Sequence, residues 1–381
     1  MRTPPRDAGA PTAAPLPVGA TFGIEEEYHL VDPDTFALRS RPELSAGALR
    51  GAAGPHLRPE MLTSQLEAAT DVCTDLAGAR AAVVAVRREA ATAAASCGVA
   101  IMATSTHPTA TLDEARLLAR ERYDRLVERF GVVVRAFNLC GCHVHVSVPD
   151  LPTAVAIMAH ARPYLPVLAA LTGSSPFHEG ADTGYESFRL AWLSLWQQGG
   201  PPPHFGSADE YVDSVRQLLA MGIVDEPGQL LWELRPSSRY PTLEFRIADV
   251  CTAVDDVVLF AAIVRSLTRT LGRRATDGQR APVVSDAVLR GARWRSARHG
   301  LTDTLWHPGR AELVPADVAV RDLLTELRPD LEAHDEWSIV AGLAERLLVR
   351  GTSARRQRAC FSATGDMSAV LRDAVELTAA P

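Results

Sequence analysis

Three short segments, far apart in the chain, alternate apolar residues with residues that can bind metal or phosphate. They are Gly23-Ile-Glu-Glu-Glu27, Gly141-Cys-His-Val-His-Val-Ser147 and Leu243-Glu-Phe-Arg246. In a β-strand, residues i and i+2 face the same side. As strands, these segments pair Glu25 with Glu27, His143 with His145, and Glu244 with Arg246. Carboxylates, imidazoles and a guanidinium converging in this way supply the groups that hold Mg²⁺ and a nucleoside triphosphate.

Each segment also has an ordinary reading. Three consecutive glutamates are commonly a solvated charge run, strand histidines are commonly packed and hydrogen-bonded, and Glu244 with Arg246 can be a surface ion pair. Glu60 and Glu67 are separated by seven residues, which reverses strand parity, so they reach one site only across a bulge or from a wide groove. Cys140, Cys142, His143 and His145 together suggest a zinc site. Parity opposes it, because an extended chain points the two cysteines away from the two histidines.

Composition narrows the chemistry. The chain has 381 residues and a net charge of −7, so nucleic acid is not an expected partner. All 39 of its Lys+Arg residues are arginine. A Walker-type P-loop, a lysine Schiff base and a lysine general base are therefore excluded. Any phosphate clamp must use arginine, backbone N–H groups or metal. Six cysteines without a C-x-x-C pair predict a reduced, cytoplasmic protein. The first 18 residues lack the apolar core of a signal peptide, no apolar run is long enough to span a membrane, and residues 1–19 read as a flexible tail.

The elements that must position these residues follow from pattern. Strands are expected at Thr21–Val31, within His56–Val72, and at Val99–Thr104, Val132–Phe137, Cys142–Val148, Leu230–Leu234 and Thr242–Val250. Helices are expected at Thr74–Ser96, Asp113–Phe130, Leu151–Thr172, within Tyr185–Trp196, at Ser207–Met221, and over most of the chain after Ala253. No internal repeat or interdomain linker is visible, so residues 20–381 read as a single catalytic domain. The hairpin-like strand pairs predict an α+β fold with an antiparallel sheet.

The order of the motifs resembles the glutamine synthetase superfamily, and more closely the carboxylate–amine ligases of the type 2 glutamate–cysteine ligase family. The resemblance is carried by Phe22-Gly-Ile-Glu-Glu-Glu-Tyr28, Arg58-Pro-Glu-Met-Leu-Thr-Ser-Gln-Leu-Glu67, Thr106-His-Pro108, Cys140-Gly-Cys-His-Val-His-Val146, Ser187-Phe-Arg189, Arg235-Pro236 and Pro241-Thr-Leu-Glu-Phe-Arg-Ile-Ala-Asp249, and it runs from Thr21 to the end. It implies a curved antiparallel sheet flanked by helices, ATP and Mg²⁺ as cofactors, small-molecule substrates (a carboxylate and an amine), no membrane or nucleic-acid partner, and a homodimer.

By superfamily analogy the resemblance also implies roles. Glu27, Glu60 and Glu67 would hold a metal near the carboxylate substrate, and Glu25, His143 and Glu244 one on the ATP phosphates. Arg246 would clamp the transferred phosphoryl group rather than pair with Glu244. His145 would lie on the nucleotide side, and Arg235 would clamp a substrate carboxylate. His178, Gln197-Gln198 and Ser237-Ser238 depart from the family pattern in loops expected to shape the acceptor pocket. The reaction implied is amide formation through an acyl phosphate, with weak glutamate–cysteine ligase activity. Competing chemistries are phosphoryl transfer of the guanido-kinase type, ligation of a different acid–amine pair, a zinc hydrolase or zinc-structured module, and a nucleotide sensor.

Overall fold

The computed structural model describes residues 17–45, 55–135 and 137–380. Its centre is a seven-stranded antiparallel sheet in the order β2-β3-β1-β5-β9-β8, with β4 pairing the end of β1. The strands are β1 (Phe22–Val31), β2 (Leu57–Pro59), β3 (Gln65–Ala69), β4 (Ala100–Met102), β5 (Gly141–Ser147), β8 (Leu234–Pro236) and β9 (Thr242–Asp249). Two short hairpins lie outside it, β6 (Phe177–His178) with β7 (Ala181–Asp182), and β10 (Thr304–His307) with β11 (Glu312–Pro315). This is the α+β architecture expected, with the sheet open and flanked by helices.

Alternation along the strands divides the sheet into two faces. Phe22 and Ile24 of β1, Val144 and Val146 of β5, and Leu243 and Phe245 of β9 enter one large apolar core. That core is built with the helices Leu151–Ala161 and Val254–Thr276. Tyr28 and Leu30, farther along β1, join a second core beneath the helix Leu76–Ser96. Residues of opposite parity face away from this packing, and they include Glu25, Glu27, His143, His145, Glu244 and Arg246.

Glu26 is the exception within its own run. Its parity is that of Ile24 and Tyr28, so it points into the apolar side, where it is 1% exposed. Arg87 of the helix Leu76–Ser96 meets it with Nε 3.0 Å from Oε2, and Tyr28 donates its hydroxyl to the same oxygen at 2.9 Å. Arg87 also donates to the carbonyls of Cys251 and Thr252, so the pair ties β1 to the chain leaving β9.

Several expected elements took other forms. The predicted helix 113–130 forms only as a 3₁₀ turn, Leu112–Glu114, and a helix, Glu121–Phe130. Between them the chain runs extended beside the segment carrying Glu60. Thr63 N donates to Arg116 O and Leu118 N to Met61 O, each at 2.9 Å. Tertiary backbone pairing here outweighs helical periodicity. The predicted strand 132–137 is instead a helical turn, Val132–Arg135, after Gly131 at φ +58 closes the preceding helix; residue 136 lies outside the described residues. The predicted helix 151–172 is broken by a 3₁₀ turn at Arg162–Tyr164, where Pro163 and Pro166 withhold backbone donors. Strand β8 lies a few residues later than expected, at Leu234–Pro236. Residues 1–16 of the expected tail lie outside the described residues. Gly19 N donates to Ser147 O, and Pro17 O accepts from Ser147 Oγ.

The loop after β4 is held by His107. Its Nε2 lies 2.9 Å from Phe36 O, and its Nδ1 accepts from Ala110 N at 3.0 Å. Burial pushes this imidazole from its ordinary 6.5 down to about 4. A neutral ring in the folded state against an ionisable one in the unfolded state makes stability complete above pH 6.5 and lost progressively as pH falls toward 4. The loss from His107 approaches about 3 kcal/mol at the acid end. Urea titrations between pH 7 and pH 4.5 are expected to show a His107→Asn variant losing less stability than the wild type over that range. Equal losses would exclude His107 as an acid-sensitive fastening.

Candidate active site

The register of the sheet assembles the predicted residues. On one side of β1, Glu27 stands opposite Glu67 of β3; on the other, Glu25 stands opposite His143 of β5. His145 stands opposite Glu244, and Glu244 opposite Arg235. Between Cys142 and Val144 the β5–β9 register shifts, leaving one extra residue on β9. This bulge lies next to Arg246, whose Nη1 approaches His143 Nδ1 at 3.4 Å.

Glu60 and Glu67 reach one place because β2 and β3 form a hairpin, with Arg58 opposite Glu67. Chain reversal removes the parity difficulty raised by their spacing. Cys142 stands opposite Glu26, on the other side of the sheet from His143, and Cys140 lies near Gln65 Nε2. The four-ligand zinc set is therefore not assembled.

Two sets of three donors result. The carboxylates of Glu27, Glu60 and Glu67 offer atoms all within 4.8 Å of one another, and so do Glu25, His143 and Glu244. His143 lies between the sets, its Nδ1 3.7 Å from Glu25 Oε2 and its Nε2 3.8 Å from Glu27 Oε1. The backbone fixes part of this arrangement: Gly141 N donates to Glu27 Oε2 and Met61 N to Glu60 Oε2, both at 2.6 Å. A Cβ on Gly141 would lie 2.5 Å from Arg189 Nη2 and 3.1 Å from His143 Nε2, so a side chain there would displace the Arg189 guanidinium and crowd His143.

The two sets differ electrostatically. Burial and the charge of Glu60 push Glu27 up to about 8. Burial, reinforced by Glu25 and Glu60, drives Glu67 well above the carboxylate range, and burial also raises Glu60. This is a cluster of anions short of positive charge. Burial would raise Glu25 and Glu244 too, but the two histidines hold Glu25 far below its ordinary range, and Arg246 and Arg235 do the same for Glu244. Burial and Arg246 push His143 down to about 4, which keeps its ring neutral and a lone pair available. Burial opposes protonation of His145 as well, but Glu25 and Glu244 raise it. Hard oxygen donors with one neutral imidazole, three of them in unrelieved repulsion, fit a hard divalent cation such as Mg²⁺.

The arginines are placed less simply. Arg246 donates to Glu244 in this structure, so it is not apart from that carboxylate as expected. Arg235, expected to clamp a substrate carboxylate, directs Nε to Glu244 Oε2 at 2.8 Å and Nη1 to the carbonyls of Gly228 and Leu230. Its donors are taken by the protein, and its geometry is that of a support for Glu244.

Two cavities meet at this cluster. A polar one of about 350 Å³ is lined by Glu25, His145, Glu244, Ser237 and Ser238, together with Arg58, Arg122, Arg235, Arg239 and Arg246. The absence of lysine was the signal that arginine must crowd such a chamber; nothing in the spacing of Arg122 or Arg239 singled them out. The other, of about 210 Å³, reaches Glu27, Glu60, His143 and Arg246 from a largely apolar side, and its wall includes Arg189, Gln197, Gln198 and Glu233. Of the departures from the family pattern, the two glutamines line this second cavity and the two serines the first. His178 packs on Phe188 and Trp192 instead. Sequence reasoning passed over Glu233, although Glu233-x-Arg235 repeats the spacing of Glu244-x-Arg246 on the neighbouring strand.

Residues 21–373 match glutamate–cysteine ligase family 2. A Frankia alni protein carrying the provisional name glutamate–cysteine ligase 2-2 is 40% identical over 365 residues, covering 92% of this chain and 95% of its own. A Mycobacterium sp. (strain KMS) protein of the same provisional name is 39% identical, covering 94% and 99%. The glutamate–cysteine ligase of Francisella tularensis, solved in complex with AMP, superposes with a TM-score of 0.72 at 13% identity, over 94% of this chain and 88% of that one. A bifunctional glutathione synthetase from Pasteurella multocida gives 0.69 at 14% identity, over 94% and 52%. These two establish likeness of fold. No helix among the described residues is long and apolar enough to cross a membrane. The chain belongs to glutamate–cysteine ligase family 2: it is an ATP-dependent ligase that joins a carboxylate to an amine.

Proposed function

We propose that the carboxylate is activated as an acyl phosphate where the two donor sets meet, and that the amine then displaces phosphate to leave an amide, ADP and phosphate. The observation that carries this reading is the pair of three-donor sets that meet at His143, a member of one and a neighbour of the other, with Arg246 beside them. Glu27, Glu60 and Glu67 would hold one Mg²⁺ on the carboxylate side, and Glu25, His143 and Glu244 a second on the phosphate side. Bound there, the metals offset the charge of two anions that must approach in line. The protein's own groups do the rest. Arg246 neutralises the transferred phosphoryl group, Arg235 orients Glu244, and His145 faces the phosphate chamber, held by Thr242 Oγ1 at 2.9 Å from its Nδ1. Glutamate and cysteine, the pair in the names of its relatives, are substrates on this reading, turned over weakly.

The test is an ADP-release screen over acids and amines with ATP and Mg²⁺, followed by isotope tracing. With ¹⁸O in the substrate carboxylate, one label is expected in the released phosphate for each amide formed, because the oxygen that attacks phosphorus departs with it. A stable phosphorylated amine or guanidine without amide would establish phosphotransfer instead.

A further inference from the structure

The apolar cavity is larger and greasier than cysteine requires. Leu126, Phe130, Phe137, Leu193, Trp196 and Leu231 form much of its wall. The ring of Trp196 lies 5.0 Å from that of Phe130 and 5.2 Å from that of Phe137. Its volume of about 210 Å³ exceeds the roughly 150 Å³ that accommodates a benzene ring. One end, at Glu27 and Glu60, belongs to the carboxylate side, and a cysteine side chain leaves much of the apolar end unfilled.

One group in this wall has an unmet demand. Glu233 is 1% exposed. Its Oε1 accepts from Arg293 Nε, but its Oε2 is buried without a partner among the described residues. A buried carboxylate oxygen left unpaired is costly, and Glu233 lines the cavity, so a turn of its carboxyl toward that space lets an ammonium group satisfy the oxygen. The position suits an acceptor, since Arg246 N donates to Glu233 O at 2.8 Å. Glu233 therefore neighbours the residue assigned to the phosphoryl group.

We propose that the acceptor is a primary amine on an aromatic or branched aliphatic body, seated in this cavity with its ammonium against Glu233. The assignment of this cavity to the acceptor rests on the ligase mechanism above; the amine's chemistry rests on the cavity and on Glu233.

Calorimetric titration tests it with 2-phenylethylamine, 3-methylbutylamine and cysteine as probes, against the wild type, Glu233→Gln and Leu231→Trp, with MgATP titrated separately. The wild type is expected to bind 2-phenylethylamine at least about tenfold more tightly than cysteine. Glu233→Gln should weaken that binding by about tenfold or more, the scale of a lost charge-assisted hydrogen bond. Leu231→Trp should abolish it by filling the cavity, and both variants should bind MgATP as the wild type does. If Glu233→Gln fails to fold because Arg293 loses its counter-ion, Leu231→Trp carries the test. Cysteine binding as tightly as 2-phenylethylamine, or wild-type amine affinity in the folded variants, overturns the amine site while MgATP binding stands. A wild type that does not bind MgATP overturns the activation chemistry and the acceptor assignment together.

Discussion

Glu27→Gln is expected to fold as the wild type does and to lose about 10³-fold in ATP-dependent amide formation. The two halves of this result have separate causes. Glu27 shares its site with Glu60 and Glu67, and burial with the charge of Glu60 already pushes its carboxyl up to about 8. A neutral isostere spares folding the cost of burying or protonating that carboxyl, so stability is unchanged or higher. The substitution also keeps an oxygen able to accept from Gly141 N. Catalysis loses a ligand for a cation that supplies several kcal/mol of charge stabilisation, and about 4 kcal/mol corresponds to about 10³ in rate. Melting temperature and initial rate on one preparation check it. A folded variant with wild-type turnover would remove Glu27 from the site. Glu25→Gln and Glu244→Gln should lose activity likewise but should also lose stability, because the two histidines hold Glu25 ionised and Glu244 is the counter-charge of buried Arg235 and Arg246.

Glu26→Gln should do the opposite and unfold more easily by about 3–5 kcal/mol, the cost of leaving one member of a buried ion pair without its partner. Arg87 is 3% exposed, and beyond Glu26 its donors meet, among the described residues, only the neutral carbonyls of Cys251 and Thr252. Urea or thermal unfolding measures the change. Replacing the pair together, as Glu26→Gln with Arg87→Met, is expected to recover much of the loss, because a neutral pair leaves no unbalanced charge in the core. A single variant as stable as the wild type would show that the pair contributes nothing to the fold. On the proposed function, three adjacent glutamates answer to different physics: Glu25 and Glu27 to chemistry, Glu26 to packing.

Strand character was readable where alternation was strong. Phe22–Val31, Gly141–Ser147 and Thr242–Asp249 carry apolar residues at a period of two, and each formed close to its expected bounds. The helix expected at 113–130 failed over its first half because the backbone there found partners in Met61 and Thr63, and no periodicity in either segment announces the other. Arg235 was assigned by charge and position alone. The loop carbonyls that occupy its guanidinium come from residues 228–230, which the chain folds back upon it.

Parity alone determined which residues of each strand share a face. It separated Glu25 and Glu27 from Glu26, and the histidines from Cys142, because side-chain direction along an extended chain is a local geometric property. Only the tertiary structure decided what those faces meet. The bulge that sets Arg246 beside His143, the Arg87 that balances Glu26, and the burial of Glu233 all depend on contacts between residues distant in sequence, and the short hairpin that brings Glu60 to Glu67 joins the site only because β3 pairs with β1. Their energies are those of burial and of charges brought together in low dielectric, and such terms exist only once the chain has closed on itself.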